Sequence, residues 1–325
     1  MSALGPAGAV QPVALRGSAY LVRRRFFRHR AALAGLVVLA GVVLLAFSSI
    51  GFGPVPGWWG LDYSSTGLVV DRGRMSLDVL PPFLDGDWFA FGPHPFGQSN
   101  TGADYFALTM RGTQQSLVIA FTVGALSTAL GVLVGVVAGY FRGWVETVLM
   151  RLTDVVLTVP LFVIGAVLAR SVAGRGVFAL ALALGLLQWY QLARMLRAEI
   201  LSLREQEFVL AAVGLGASPA RIMTRELLPN TVGTVVVNAT LITATAILLE
   251  TTLSFLGLGV RPPDTSLGQL VSVYQDASQT RPWLFWWPGL FIVAITLSVN
   301  FVGDGLRDAF DPRSGRAGAA RKEIR

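Results

Sequence analysis

Charge is missing from long stretches of this chain, and those gaps set its organisation. Ala31 to Ile50 is twenty residues without a charged side chain, enough to cross a ~30 Å hydrocarbon core at ~1.5 Å per residue. Leu117 to Tyr140 predicts a second span. A third is expected from about Trp144 to Ala169, kinked at Pro160, which removes a backbone hydrogen bond. A fourth runs from about Gly176 to Met195, a fifth from near Asn230 through Leu249, and a sixth from about Pro282 to Gly303.

Between the fourth and fifth spans, Glu207 to Asn230 is too polar to cross a bilayer. It reads as two short helices with a break between them. Gly214 and Gly216 suit a helix C-terminus, because glycine tolerates positive φ. Ser218 can cap a second helix with Pro219 at its first position, where no N–H is needed. Ala220, Ile222, Met223 and Leu227 give that helix an apolar side and Arg221, Arg225 and Glu226 a charged one, and Pro229 is expected to end it.

The remaining segments fix orientation. Residues 16–30 hold six arginines and no acid, interleaved with Tyr20, Leu21, Phe26 and Phe27. They form either an interfacial helix on an anionic leaflet or a positive flank of the first span. Residues 1–15 are expected to be disordered. Residues 51–111 hold six aspartates against three arginines and many glycines and prolines, which reads as an outside loop. Arginines in the N-terminal segment, the 140–151 turn, the 203–230 loop and the C-terminus place both termini in the cytoplasm.

The chain has 325 residues, 53% of them hydrophobic and 14% charged, a balance for a polytopic membrane protein rather than a soluble domain. The net charge of +7 reads as topogenic charge, not a nucleic-acid surface. Cysteine is absent, and His29 and His94 stand far apart, so neither a disulfide framework nor a metal-ligand spacing is visible. No phosphate-binding G-x-x-x-x-G-K-[ST] loop and no nucleophile–base set occurs, so no catalysis is expected. Glu250 follows some twenty apolar residues and must face protein or a water-filled cavity, either in a substrate path or between two subunits. Gln188, Trp189 and Tyr190 either line a path or form an interfacial belt, the belt being favoured by nearby Arg194 and Arg197. Gly124, Gly131, Gly135 and Gly139 predict close helix packing, and Arg151 and Asp154 a pair on one helix face.

The spacing Ala211-Ala212-x3-Gly216 followed by Leu228-Pro229 resembles the cytoplasmic EAA loop of bacterial ABC-importer membrane subunits, with Leu210 and Glu226 departing from the pattern. His94-Pro95-Phe96-Gly97 to Gly102-Ala103-Asp104 resembles a signature of C-type peptide permeases, with Gln98, Ser99 and Ala103 departing from it. The runs G-Y-F-R-G-W-V-E-T-V-L-M-R-L-T-D-V-V-L-T-V-P, E-T-T-L-S-F-L-G-L-G-V-R-P-P and P-G-L-F-I-V-A-I-T-L-S-V-N-F-V-G-D-G-L-R-D-A-F-D-P are similar to the same peptide/nickel group.

That resemblance implies an all-α polytopic protein with six transmembrane helices, the type I ABC-importer permease fold, and a cytoplasmic coupling helix. Its parts are a tail at 1–30, a first span at 31–50, an outside loop at 51–111, a core at 112–306 that includes the coupling loop 203–230, and a tail at 307–325. It implies ATPase coupling through Ala211, Ala212, Gly216, Ala217, Ser218, Pro219, Arg221, Ile222, Arg225, Leu228 and Pro229, the apolar side of the second helix filling a groove on the ATPase. It implies no cofactor in this chain, with ATP and Mg bound by partner subunits. The implied partners are a second, B-type permease, two ATP-binding subunits or domains, an extracytoplasmic substrate-binding protein and membrane lipid. The implied place is the bacterial cytoplasmic membrane. The implied cargo is a di- or oligopeptide, with nickel, haem or another small solute as the alternative. A secondary transporter is the reading from another class, and it lacks the internal repeats and midplane ion-coupling residues that would favour it.

Overall fold

The computed structural model describes residues 18–78 and 90–310, and most of them are helical. The N-terminus expected to be disordered, and the basic tail from 311 with Asp311, lie outside the described residues.

The arginine-rich segment forms α1 (Ser18–Phe26), and His29 links it to α2 (Arg30–Ser49). His29 Nδ1 accepts the Ala32 N–H at 3.1 Å and so caps α2, while Nε2 lies 3.4 Å from Asp308. The central element is α3 (Tyr105–Phe141), 37 residues long. It starts at Tyr105, not Leu117, so the helical core begins before residue 112. The charge gap misplaced this start because the polar residues of the first turns are solvated by protein. Thr109 and Thr113 donate to carbonyls one turn back, and Gln114 Nε2 donates to Ala46 O at 2.8 Å and Gly51 O at 2.7 Å. Residues 105–116 extend α3 by ~18 Å beyond its apolar run, at ~1.5 Å per residue.

The inner half of α3 packs on α7 (Tyr190–Leu203) through the glycine stripe. A Cβ on Gly131 would lie 2.9 Å from Leu192 Cβ, one on Gly135 2.7 Å from Ala193 O, and one on Gly139 2.8 Å from Ile200 Cβ. Here small residues set the helix separation, as expected where lipid gives apolar surfaces no reason to associate.

The third span is broken rather than kinked. α4 (Gly143–Thr158) and α5 (Leu161–Ser171) meet at 88°. Pro160 forces the residue before it out of the helical region, and Val159 (ψ 130°) and Pro160 (ψ 125°) are both extended, so no helical bond crosses the joint. Asp154 pairs with Arg194 at 3.3 Å on α7, not with Arg151. Glu146 meets Arg197, and Arg142 meets Glu205 at 2.6 Å, so the elbow after α3 is tied by charges to α7 and to the turn that follows it.

The fourth span is α6 (Val177–Gly185) and α7, joined by a tight turn at 186–189. Helical structure is then continuous from Pro219 to Phe255: α9 (Pro219–Arg221), a wider π-type stretch (Ile222–Leu227), a 3₁₀ turn (Leu228–Thr231) and α10 (Val232–Phe255). Pro229 therefore does not end the helix; it sits where the π-type stretch gives way to the 3₁₀ turn. α11 (Leu267–Tyr274) and α12 (Trp283–Phe310) complete the fold. Among the described residues five helices are long and apolar enough to span, and six spans result if α4 and α5 count as one.

The outer module contains two short antiparallel pairs, β1 (Gly51–Phe52) with β2 (Val55–Pro56) and β3 (Leu77–Asp78) with β4 (Ala90–Phe91). Aromatic rings fix it to the bundle. Phe96 stacks on Trp287 at 3.9 Å, and Trp59, Phe91 and Phe96 surround Phe106.

Candidate functional site

At the inner end, α8 (Glu207–Gly214) and α9 form a paired segment that closes on itself. Gly216 has φ +79°, and the chain turns there through two bonds: Gly216 N–H to Val213 O at 2.9 Å and Ala217 N–H to Ala212 O at 3.0 Å. This is a Schellman turn, and the residues it brings together, Ala212 and Ala217, pack on one inner cluster. Ser218 then caps α9, its Oγ accepting the Arg221 N–H at 3.4 Å with Pro219 at the first position.

The apolar side of the second helix points inward. Ile222 and Leu227 are buried with Val209, against Val136 of α3 and Ile200 of α7. It therefore cannot fill a groove on a partner without unfolding this contact. Leu228 is half-buried in the same cluster. The outward side carries Ala211, Ser218, Pro219, Arg221, Arg225 and Pro229, together with an apolar row on and just after α8. In that row Leu210 is 58% exposed, Val213 53% and Leu215 89%. The pattern of residues 207–215 alone did not show this row, because alternate sides of a two-turn helix are both apolar.

Gln188 and Trp189 are buried in the turn between α6 and α7, so they do not form an interfacial belt. Thr245 of α10 donates to Gln188 Oε1 at 2.8 Å, and the buried Gln188 Nε2 has no partner among the described residues. Thr245, Leu248 and Thr252 follow one another along the exposed side of α10.

Glu250 lies on the opposite side of α10, wholly enclosed among the described residues of this chain. It is the common acceptor of two relays. Ser116 Oγ donates to it at 3.0 Å and accepts the Leu267 N–H at 3.3 Å. Ser254 Oγ donates to it at 2.6 Å and accepts the Val260 N–H at 3.2 Å. One carboxyl thus ties α3, α10, the middle of the 256–266 loop and the start of α11 together.

A second node at the outer end was legible only as a motif. Asp104 caps α3 by accepting the Ala107 N–H at 2.9 Å, and it also accepts from Trp59 Nε1 and His94 Nδ1, each at 2.8 Å. Because an ionised carboxylate only accepts, His94 carries its proton on Nδ1. Gln98 is buried beside it and holds an extended strip in place, accepting the Val70 N–H at 2.8 Å and donating to Leu68 O and Gly102 O. Arg111, about two turns below Asp104 on α3, pairs with Asp264 at 2.7 Å. No cluster of three or more potential metal ligands occurs among the described residues.

A bundle with a helical pair tucked under its inner end and an aromatic-anchored module over its outer end has counterparts among known proteins. The family profile described as binding-protein-dependent transport system inner membrane component matches residues 131–316, which include the inner helical pair. The chain belongs to this family. A second profile, the N-terminal TM domain of oligopeptide transport permease C, matches residues 19–57 of this transport component. It is 39% identical to a putative peptide permease protein of Brucella ovis over 89% of each chain. It is 38% identical to the oligopeptide transport system permease protein OppC of Mycobacterium tuberculosis, over 90% of this chain and 94% of that one. The fold is shared with the inward-facing MetNI methionine ABC transporter, at TM-score 0.51 and 20% identity, over 63% of this chain and 97% of that chain. This transport component is thus a multi-pass inner-membrane protein.

Proposed function

We propose that this chain is the C-type permease subunit of an ATP-driven importer for di- or oligopeptides. The observation that carries the reading is the inner helical pair, a rigid segment built onto α3 and α7 whose outward side exposes Leu210, Val213 and Leu215. Three large apolar side chains on a short, charge-flanked segment outside the spans mark a protein contact. The contact fits an ATP-hydrolysing subunit. This chain has no phosphate-binding loop of its own, so ATP and Mg belong to that partner. Ser218, Pro219, Arg221 and Arg225 form the polar rim of the contact, while Ile222, Leu227 and Leu228 transmit its movement to α3 and α7. A second permease completes the path, and an extracytoplasmic binding protein delivers cargo to the outer module.

The peptide cargo is supported by the names of relatives at 33–39% identity, which are peptide or oligopeptide permeases. In a competition assay on the cognate binding protein, unlabelled di- and oligopeptides are expected to displace a labelled peptide, and nickel or haem to leave it bound. Displacement by nickel or haem alone assigns the machinery to the other cargo.

The path itself runs along Thr245, Leu248 and Thr252 of α10, with Gln188 behind them. The support is the unpartnered Gln188 Nε2, since a buried amide at membrane depth is costly unless water or cargo reaches it. Gln188→Leu is expected to leave complex assembly intact and to lower peptide uptake several-fold in proteoliposomes. Unchanged uptake removes this strip from the path.

A further inference from the structure

The inner end of the bundle holds a groove of about 1180 Å³ between α1, α7, α10 and α12. That is larger than the ~300–1,000 Å³ of ordinary small-molecule pockets. Its walls are Val22 and Phe26 of α1, Val237 and Leu241 of α10, and Leu306 and Phe310 of α12. Its charged lining groups are Arg23, Arg307 and Glu199.

The groove is built, not a gap between loose ends. α1 is held to α12 where Phe26 approaches Gly305 and His29 meets Asp308, and Phe310 closes on Gly233 of α10. The polarity changes with depth. Arg23 and Arg307 stand at the inner rim, exposed and without an ion-pair partner among the described residues. From Val232 at the inner end to Leu241 the α10 wall runs toward the middle of the bundle for ~14 Å, at ~1.5 Å per residue. A basic rim over a slot lined mainly by apolar side chains, with Asn230, Thr234 and Asn238 among them, has the polarity of an anionic phospholipid, headgroup to the arginines and acyl chain along α10. A free anion would use the rim and leave the slot empty. Glu199, half-buried on the α7 wall, opposes the arginines and moderates their attraction.

We infer that this groove is a site for one anionic phospholipid, selected by Arg23 and Arg307.

The test uses the complete transporter, purified and reconstituted. This chain lacks cysteine, so Met195→Cys in the groove can carry a single fluorophore once the partner subunits are made cysteine-free. Phosphatidylglycerol and phosphatidylcholine, each with brominated acyl chains, serve as contact quenchers. Phosphatidylglycerol is expected to half-quench at a several-fold lower mole fraction, on the order of five-fold for each arginine near the headgroup. Arg23→Gln with Arg307→Gln should erase that preference, and the lysine pair should keep it. Glu199→Gln should sharpen it, and Arg170→Gln, in the last turn of α5 and outside the groove, should leave it unchanged. Equal quenching by the two lipids overturns the inference. So does an absence of quenching by either, which would mean that protein covers the groove. So does a preference abolished by millimolar inorganic phosphate, which would make the rim a free-anion site.

Discussion

Replacing Gly216 with valine is expected to abolish the stimulation of ATP hydrolysis by loaded binding protein while leaving the subunit in the membrane. At φ +79° a Cβ adds about 1–2 kcal/mol of local strain, and a branched one is the worst case. Nothing lies near the position a Gly216 Cβ would take, so the effect is conformational and not a clash. Relieving the strain would undo the turn that joins Gly216 to Val213 and Ala217 to Ala212. Ser218 would then no longer be aimed at the Arg221 N–H, and the exposed row at Leu210, Val213 and Leu215 would lose its fixed relation to α9. The spans contribute none of these contacts, so insertion should be normal. The measurement is ATPase activity of the purified complex with and without loaded binding protein, the basal rate serving as the control. Wild-type stimulation in Gly216→Val would make this segment a connector only.

The second large effect is expected at Glu250. Glu250→Leu removes the acceptor of both relays and leaves the Ser116 and Ser254 hydroxyls buried without one. Each orphaned group costs about 1–3 kcal/mol in a protein interior. Interhelical polar contacts in membranes average a smaller ~0.6 kcal/mol, because the unfolded reference finds other partners. Two relays that also hold the backbone N–H groups of Val260 and Leu267 put the expected loss at roughly 2–4 kcal/mol. Glu250→Gln keeps one acceptor oxygen and should lose about half as much. The thermal midpoint of the purified complex reads this directly: a large fall for leucine and a smaller one for glutamine. Equal midpoints for all three proteins would mean that the node carries no stability, and a transport defect without a stability change would return Glu250 to the path.

The number of spans, the paired inner segment and its cap at Ser218 were legible because they depend on local rules. Charge gaps mark spans, and glycine and serine–proline mark helix ends. Five features were not legible, most of them for a non-local reason. The start of α3 at Tyr105 is hidden by polar residues whose partners lie on α2 and its following turn. The right-angle joint after Thr158 needs two consecutive extended residues, while one proline predicts only a kink. Pro229 reads as a stop in the sequence, because nothing there places it at a junction between two helical forms. The inward face of the second helix depends on neighbours that arrive from α3 and α7, and the enclosure of Glu250 on α3 and the 256–266 loop. The outer node was visible in the run from His94 to Asp104, yet its geometry comes from Trp59, whose place beside Asp104 the sequence does not reveal.

The central claim is that the inner helical pair is where this chain meets its ATP-hydrolysing partner. A photoreactive amino acid at Leu215, which is 89% exposed, tests it in the assembled complex. An equally exposed position on the outer module, Leu68, is the control. Illumination is expected to join Leu215 to the ATP-hydrolysing subunit and to give no such product from Leu68. A complex that hydrolyses ATP yet yields no ATPase adduct from Leu215, or yields one from Leu68, would contradict the account.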